Sequence, residues 1–174
     1  MGVELDGKHQ DEDGAVTKGT GGKVFPVLGL ELGYNIPVGD VFFLSIGGSY
    51  ISESAEISKA DDAADAADVT LKVNKLWTGY LAPSISVSDN SSVFLKAGYT
   101  AGQLTATGNI TGDINNLSGY VVGIGTSTIF ESGVFIRSEA GMAEFDKISV
   151  TGIGGSANAI LTADPSSAYG KVSL

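Results

Sequence analysis

The chain has 174 residues, of which 43% are hydrophobic and only 17% are charged, whereas roughly a quarter of the residues are charged in an ordinary soluble domain. Its formal net charge of −10 argues against a nucleic-acid partner, because binding to phosphates needs a basic surface. The absence of cysteine excludes disulfides and thiol chemistry, and no apolar run is long enough for a transmembrane helix. The length predicts a single domain over residues 1–174.

The first half of the chain is dominated by one alternating stretch, residues 25–50. It follows a short predicted strand from Gly2 to Lys8 and a polar, glycine-rich loop. Apolar residues alternate with small or polar ones on both sides of a turn at residues 37–40. Because the side chains of a strand point to alternate faces, this pattern predicts an antiparallel hairpin with one apolar face. Each arm has about ten residues, the length that a tilted strand needs to cross a bilayer.

The rest of the chain repeats this pattern. Further strands are predicted from Val69 to Val87 and over residues 93–101, 119–130, 134–142 and 167–174. Pro83 lies inside the first of these and predicts a bulge there. Long polar loops are predicted at about residues 9–23, 58–68, 107–116 and 152–165. The sequence therefore predicts an all-β fold, an eight-stranded antiparallel up-and-down transmembrane β-barrel with its short turns at one end.

Three features predict that the apolar face of this barrel meets lipid. The other face is mostly Gly, Ser and Thr, which suits a narrow lumen, whereas a soluble barrel would present a charged exterior. The apolar bands of separate strands end on polar residues, such as Lys75 and Glu144. Amphipathic rings lie near the ends of these bands, as expected at membrane interfaces. We predict an interfacial aromatic girdle of Tyr34, Tyr50, Trp77, Tyr99 and Tyr120.

Three stretches resemble small eight-stranded outer-membrane proteins of the OmpA transmembrane-domain and OmpX type. They are LGLELGYNIP at residues 28–37, FLKAGY at 94–99 and AYGKVSL at 168–174. The resemblance implies a location in the outer membrane of a Gram-negative bacterium, with the termini in the periplasm and the long loops outside the cell. It also implies membrane lipid, lipopolysaccharide and the barrel-assembly machinery as partners. Such proteins usually end on an aromatic residue, so the final Leu174 leads us to expect trimmed ends.

Charged residues of both signs fall on the polar, lumen-facing side of the predicted strands. Buried charges must be paired to be tolerated, so we predict a lumen charge network. A structural plug and a gated ion path are both compatible with it, and the plug is favoured because eight-stranded interiors are normally filled. Aromatic residues also point inward, namely Tyr80, Phe94, Phe135 and Tyr169. The predicted network consists of Glu4, Glu31, Lys72, Lys96, Arg137, Glu139 and Lys171.

Two weaker motifs are further candidates for functional sites. His9 is the only histidine, and with Ser52 and Ser54 it could serve a lipid-modifying enzyme of the outer membrane, although no spacing motif supports this. The acidic run KADDAADAAD at residues 59–68 lacks the spacing of a calcium loop, which favours a solvated loop tip. We therefore predict no catalytic residue, no metal site and no cofactor.

The sequence as a whole predicts a non-enzymatic outer-membrane protein with a plugged, charged lumen. It would anchor acidic surface loops and serve envelope integrity or a surface interaction, and those loops could bind an extracellular partner. Two alternatives stay open: an outer-membrane lipid-modifying enzyme, and a soluble lipocalin-like barrel that binds a ligand.

Overall fold

The computed structural model describes residues 2–10, 16–24, 26–52, 55–60, 69–107, 116–132, 134–151 and 160–174. These residues contain only strands, turns and irregular segments. None of them forms an apolar helix of membrane-spanning length. All the strands belong to one antiparallel sheet. They are β1 Gly2–Gln10, β2 Val16–Val24, β3 Leu30–Pro37, β4 Phe42–Ile51, β5 Ala55–Ala60, β6 Val69–Ser88, β7 Ser91–Thr107, β8 Leu117–Ile129, β9 Phe135–Phe145, β10 Ile148–Thr151 and β11 Ile160–Ser173.

These strands make eight up-and-down passes, because three of the passes are interrupted. β4 and β5 pair with successive parts of β6, and β9 and β10 pair with successive parts of β11. β2 and β3 follow each other along the chain and run in the same direction, since β2 pairs with β1 and β3 pairs with β4. The prediction of an all-β fold with eight antiparallel up-and-down strands is confirmed.

In the described part of the chain, the sheet does not close into a continuous hydrogen-bonded ring. Its path runs β2-β1-β11-β9-β8-β7-β6-β4-β3, so that its two ends are consecutive strands of the chain. β1 pairs with residues 160–168 of β11, whereas among the described residues only β9 forms a ladder with residues 169–173. Within the described residues no ladder joins β3 to β11 or β2 to β3. The predicted closure into a barrel is therefore not present as a continuous ladder.

Several strands extend into the segments that we predicted as loops. β2 occupies most of the predicted loop 9–23, β5 and β7 reach residues 60 and 107, and β11 begins at Ile160. Backbone N–H and C=O groups form hydrogen bonds regardless of the side chain of their residue. Polar and glycine-rich segments can therefore pair as strands although their sequence shows no alternation of apolar and polar residues. As a result, β6 and β7, with 20 and 17 residues, are much longer than a bilayer crossing requires.

The bulge predicted at Pro83 is absent. The β6–β7 register is the same on both sides of it, with Leu81 opposite Ala97 and Ser84 opposite Phe94. The register shifts instead between Asn74 and Trp77, where Lys75 has a φ of 51°. One extra residue in a strand reverses the alternation beyond it, so the first part of β6 presents its side chains to the opposite faces.

The core lies on the concave, inner face of the curved sheet. Near the long-loop end this face is apolar and buried, with Val73, Leu104 and Leu117 among its members. Further along the strands it becomes polar and aromatic, with Tyr80, Phe94, Lys96 and Glu139 all buried. The opposite face carries exposed apolar side chains on most passes: Leu30, Leu32, Ile46, Leu81, Leu95, Val122, Ile124, Met142 and Val172.

Candidate functional site

Five of the predicted lumen residues meet on the inner face of the sheet. They come from four strands: Glu31 from β3, Lys96 from β7, Arg137 and Glu139 from β9, and Lys171 from β11. Lys96 Nζ lies 2.9 Å from Glu139 Oε1, and Arg137 Nη2 lies 3.2 Å from Glu139 Oε2. Lys171 pairs with Glu31 and lies 3.3 Å from Glu139 Oε2. We call these five residues the charge cluster.

Two phenols complete the cluster. The Tyr80 hydroxyl donates to Glu31 Oε1 over 2.6 Å, and the Tyr169 hydroxyl donates to Glu139 Oε1 over 2.7 Å. Both residues were expected to fill the lumen, but their role as donors was not predicted. The sequence feature that could have predicted this role is an inward-facing tyrosine on the same face as carboxylates, since a buried phenol normally finds a hydrogen-bond partner.

The cations also lie over aromatic rings. Lys96 Nζ is 4.3 Å from the centre of the Tyr80 ring, and the Arg137 guanidinium is 3.9 Å from the centre of the Phe94 ring. At these distances the negative face of a ring attracts a cation. Phe94 and Tyr80 therefore hold the positive groups in place as well as filling space. Phe135, also expected inside, is 42% exposed near the short-turn end.

Glycines on the inner face make room for these rings. A Cβ at Gly47 would overlap the Tyr80 ring, and a Cβ at Gly125 would overlap the Phe94 ring. A Cβ at Gly141 would lie 2.6 Å from the Tyr169 hydroxyl oxygen. The high glycine content of the strands thus has a packing reason here, because each missing side chain is replaced by a ring from another strand.

The centre of the cluster is deeply buried, and the acceptor positions of Glu139 are filled. The Glu139 side chain has 0% exposure and that of Lys96 has 3%. A carboxylate has about four lone-pair positions, and Glu139 has four donor groups around it, from Lys96, Arg137, Tyr169 and Lys171. Such saturation leaves Glu139 no free position for a substrate proton. The arrangement is suited to filling and stiffening the interior.

Two members of the predicted network are not found in the charge cluster, and only Lys72 has a described side chain. Lys72 precedes the bulge at Lys75 and lies on the opposite face of β6 from the buried Val73, in register with the exposed Thr105. We expected Lys72 in the lumen because uninterrupted alternation would place it there, and the bulge reverses that assignment. Glu4 lies in β1 opposite Ser166 and Gly22, but its side chain is outside the described part of the structure.

The aromatic residues of the predicted girdle are all exposed on the outer face. Four of them form a continuous arc across β4, β6, β7 and β8: Tyr50, Trp77, Tyr99 and Tyr120. Tyr50 is in register with Trp77, the Trp77 and Tyr99 ring centres are 6.1 Å apart, and those of Tyr99 and Tyr120 are 5.7 Å apart. Tyr34 lies apart from the arc, on β3 opposite Ile46.

The residues of the weaker motifs are only partly described. His9 lies in β1 opposite Thr17 and Leu161, and Ser52 is exposed just after β4. The His9 side chain, Ser54 and residues 61–68 lie outside the described residues. Among the described residues, no group of three or more histidines and carboxylates is placed to hold a metal ion.

No family model matches this chain, and neither a curated protein nor a solved structure is significantly similar to it. The resemblance to OmpA- and OmpX-type barrels therefore remains a prediction that depends on the three sequence stretches that carry it.

Proposed function

We propose that this chain is a non-enzymatic outer-membrane β-barrel protein of the OmpA/OmpX type, with a lumen plugged by the charge cluster. The observation that carries the proposal is that the polar and apolar faces of the sheet are arranged in the opposite way to those of a water-soluble protein. Charged side chains are buried on the inner face, whereas large apolar side chains are exposed on the outer face. Water would favour the opposite arrangement, and a bilayer favours this one.

The extent of the exposed apolar surface supports a lipid environment. Leu32 on β3 is 82% exposed and Val172 on β11 is 71% exposed, and similar residues lie on the intervening strands. Soluble monomers rarely expose contiguous apolar patches beyond a few hundred Å². The arc of Tyr50, Trp77, Tyr99 and Tyr120 lies toward the long-loop end of this belt, where amphipathic rings would meet lipid headgroups.

Closure of the sheet into a barrel is part of the proposal. Lys171 of β11 pairs with Glu31 of β3 across the place where the ladder is interrupted. Near the long-loop end, β2 lies close to β5, so the two ends of the sheet approach each other there as well. In a bilayer, unpaired strand edges facing lipid are strongly unfavourable, which favours a closed wall.

The proposed role is to anchor surface loops and support the envelope. β6 and β7 continue well beyond the aromatic arc, and the acidic run of residues 61–68 immediately precedes β6. This arrangement would hold negative charge away from the membrane, where divalent cations could bridge it to lipopolysaccharide. Membrane lipid, lipopolysaccharide and the barrel-assembly machinery are the proposed partners, with the long loops outside the cell and the termini in the periplasm.

Quenching of Trp77 fluorescence by brominated lipids tests the proposal. Trp77 is the only tryptophan and is 49% exposed on the outer face. The protein is refolded into vesicles whose lipids carry bromine at graded depths. We expect strong quenching by shallow bromines and weak quenching by deep ones, because the indole would lie at the interface.

A matched variant, Trp77→Phe combined with Leu81→Trp, moves the probe four residues along the same face of β6. It should be quenched most by the deep bromines. Emission that no bromolipid affects, in either protein, would contradict the membrane location and favour a soluble barrel.

A further inference from the structure

A row of serines crosses the sheet beside Arg137, on the short-turn side of the charge cluster. Arg137 of β9 lies opposite Ser173 of β11 on one side and opposite Ser127 of β8 on the other. Ser127 in turn lies opposite Ser92 of β7, and Ser92 lies opposite Ser86 of β6. Residues directly opposite each other in an antiparallel sheet point to the same face, so the four serines share the inner face with Arg137. We call Arg137 and these four serines the Arg–Ser row.

The charge cluster has one more positive charge than negative charges. Its three cations, Lys96, Arg137 and Lys171, share two carboxylates. With the two phenols, these cations supply roughly thirteen N–H and O–H donors to about eight lone-pair positions on the carboxylates. Outside the cluster, no charged side chain of the described residues is buried. An excess charge in a buried site is costly unless a counter-ion compensates it.

One donor of Arg137 is left unused by the cluster. Its Nη2 donates to Glu139, and its Nη1 lies 3.8 Å from Glu31 Oε1. Its Nε is buried and has no hydrogen-bond partner among the described residues. Nε is the guanidinium nitrogen closest to the Arg137 backbone, so it lies between the Arg–Ser row and the carboxylates. A buried polar donor without a protein partner normally has a water or an ion as its partner, and the excess of positive charge favours an anion.

We propose that the Arg–Ser row binds one small monovalent anion such as chloride. The Arg137 N–H and the hydroxyls of Ser92 and Ser127 would donate to it, since hydrogen bonds from a cation to an anion are the strong ones. One negative charge balances the excess charge of the cluster, whereas a dianion such as sulfate would leave the site negative. This inference depends on the charge cluster and not on the proposed membrane location.

The anion would reach its site from the short-turn end. Toward the long loops, buried apolar residues such as Val73 and Leu104 close the inner face. Toward the short turns, the Arg137 side chain keeps 13% exposure and the Ser127 and Ser173 residues are partly exposed. The ion would therefore enter and leave by the same end. An anion site of this kind is compatible with a plugged lumen, because it offers no path from one end to the other.

The dependence of stability on chloride tests this inference. The whole protein is unfolded by urea in non-ionic detergent micelles. Sodium chloride is replaced stepwise by sodium gluconate, a much larger anion, at constant ionic strength, so that charge screening does not change. An ion that binds only the folded chain stabilises it. Each tenfold rise in chloride, well above the dissociation constant, should raise the ratio of folded to unfolded protein tenfold.

Three variants locate the ion. Arg137→Gln removes the excess charge and the unused N–H, so the dependence on chloride should disappear. Ser127→Ala keeps the charge and removes one hydroxyl, so chloride binding should weaken several-fold. The control is Ser84→Ala on β6, a buried inner-face serine outside the Arg–Ser row whose hydroxyl donates to the Ala82 carbonyl oxygen. This change should leave the dependence on chloride as it is in the unchanged protein.

Three results would overturn the inference. Stability of the unchanged protein that does not respond to chloride would mean that the cluster carries no anion. A response that persists in Arg137→Gln would place the ion elsewhere. Equal responses of Ser127→Ala and Ser84→Ala would exclude the row hydroxyl as a ligand, and this comparison decides the matter if Arg137→Gln does not fold. All these readouts are obtained in micelles and do not depend on the depth of Trp77 in a bilayer.

Discussion

Lys96 and Glu139 form a 2.9 Å ion pair although a whole strand lies between them. Lys96 is on β7 and Glu139 is on β9, and β8 between them contributes Gly123 opposite Lys96 and Gly125 opposite Glu139. The absence of side chains at these two positions lets the pair cross over β8. Contacts on the inner face therefore join strands that are not neighbours in the sheet. Substitutions at the β8 glycines should accordingly change the stability of the protein.

The first prediction concerns Gly125. Gly125→Ala should lower the free energy of unfolding by about 1–3 kcal/mol, because the new methyl group would overlap both the Ser138 backbone carbonyl oxygen and the Phe94 ring. The matched control is Gly79→Ala on β6, where a Cβ meets no atom within 4 Å. Denaturant titration in micelles measures both variants. Equal losses for the two would show that Phe94 does not occupy the space above Gly125.

The second prediction concerns the balance of charge in the cluster. Three cations, Lys96, Arg137 and Lys171, share the two carboxylates of Glu31 and Glu139. Glu139→Gln leaves three cations with one carboxylate, two of them well buried, and we expect it to cost about 3–5 kcal/mol. Arg137→Gln leaves two charges of each sign and should cost less. Denaturant unfolding compares the two variants.

A double variant tests whether these residues form one network. Combining Glu139→Gln with Lys96→Met removes one charge of each sign and should recover part of the loss caused by Glu139→Gln alone. If the effects of the two single changes simply add, the residues are not coupled.

The third prediction is the absence of an open pore. Because the charge cluster, Tyr80, Phe94 and Tyr169 fill the inner face, planar-bilayer recordings should show no steady large conductance. A variant that removes the central pair, Lys96→Ala with Glu139→Ala, should show brief or small openings under the same conditions. A stable, well-defined open channel in the unchanged protein would refute the plug.

The fourth prediction locates the middle of the apolar belt. Leu81 lies four residues from Trp77 on the same outer face, so Leu81→Arg would place a charge near the bilayer midplane. We expect a loss of about 2–4 kcal/mol on refolding into lipid. The control Gln103→Arg changes an exposed residue of β7 beyond the aromatic arc and should be nearly neutral. A similar small effect for both would argue against contact between Leu81 and lipid.

The sequence alone determined which side chains share a face on most strands. Alternation with period two is a local property, so it placed Glu31, Lys96, Arg137 and Glu139 on one side and the aromatic arc on the other before any strand pairing was known. Eight passes also followed from local signals, since turn residues and polar segments separate the alternating stretches, although several strands extend into those polar segments.

Only the tertiary structure decided what depends on pairing between distant strands. The bulge at Lys75 moved Lys72 to the outer face, and nothing in the local alternation distinguishes a strand with one extra residue from one without. The fit of Tyr80 against Gly47, and the ion pair between Glu31 of β3 and Lys171 of β11, arise from the register of segments far apart in the chain. Register is set by backbone hydrogen bonds and packing across the whole sheet, and for that reason the sequence pattern predicted the faces of this protein but not its contacts.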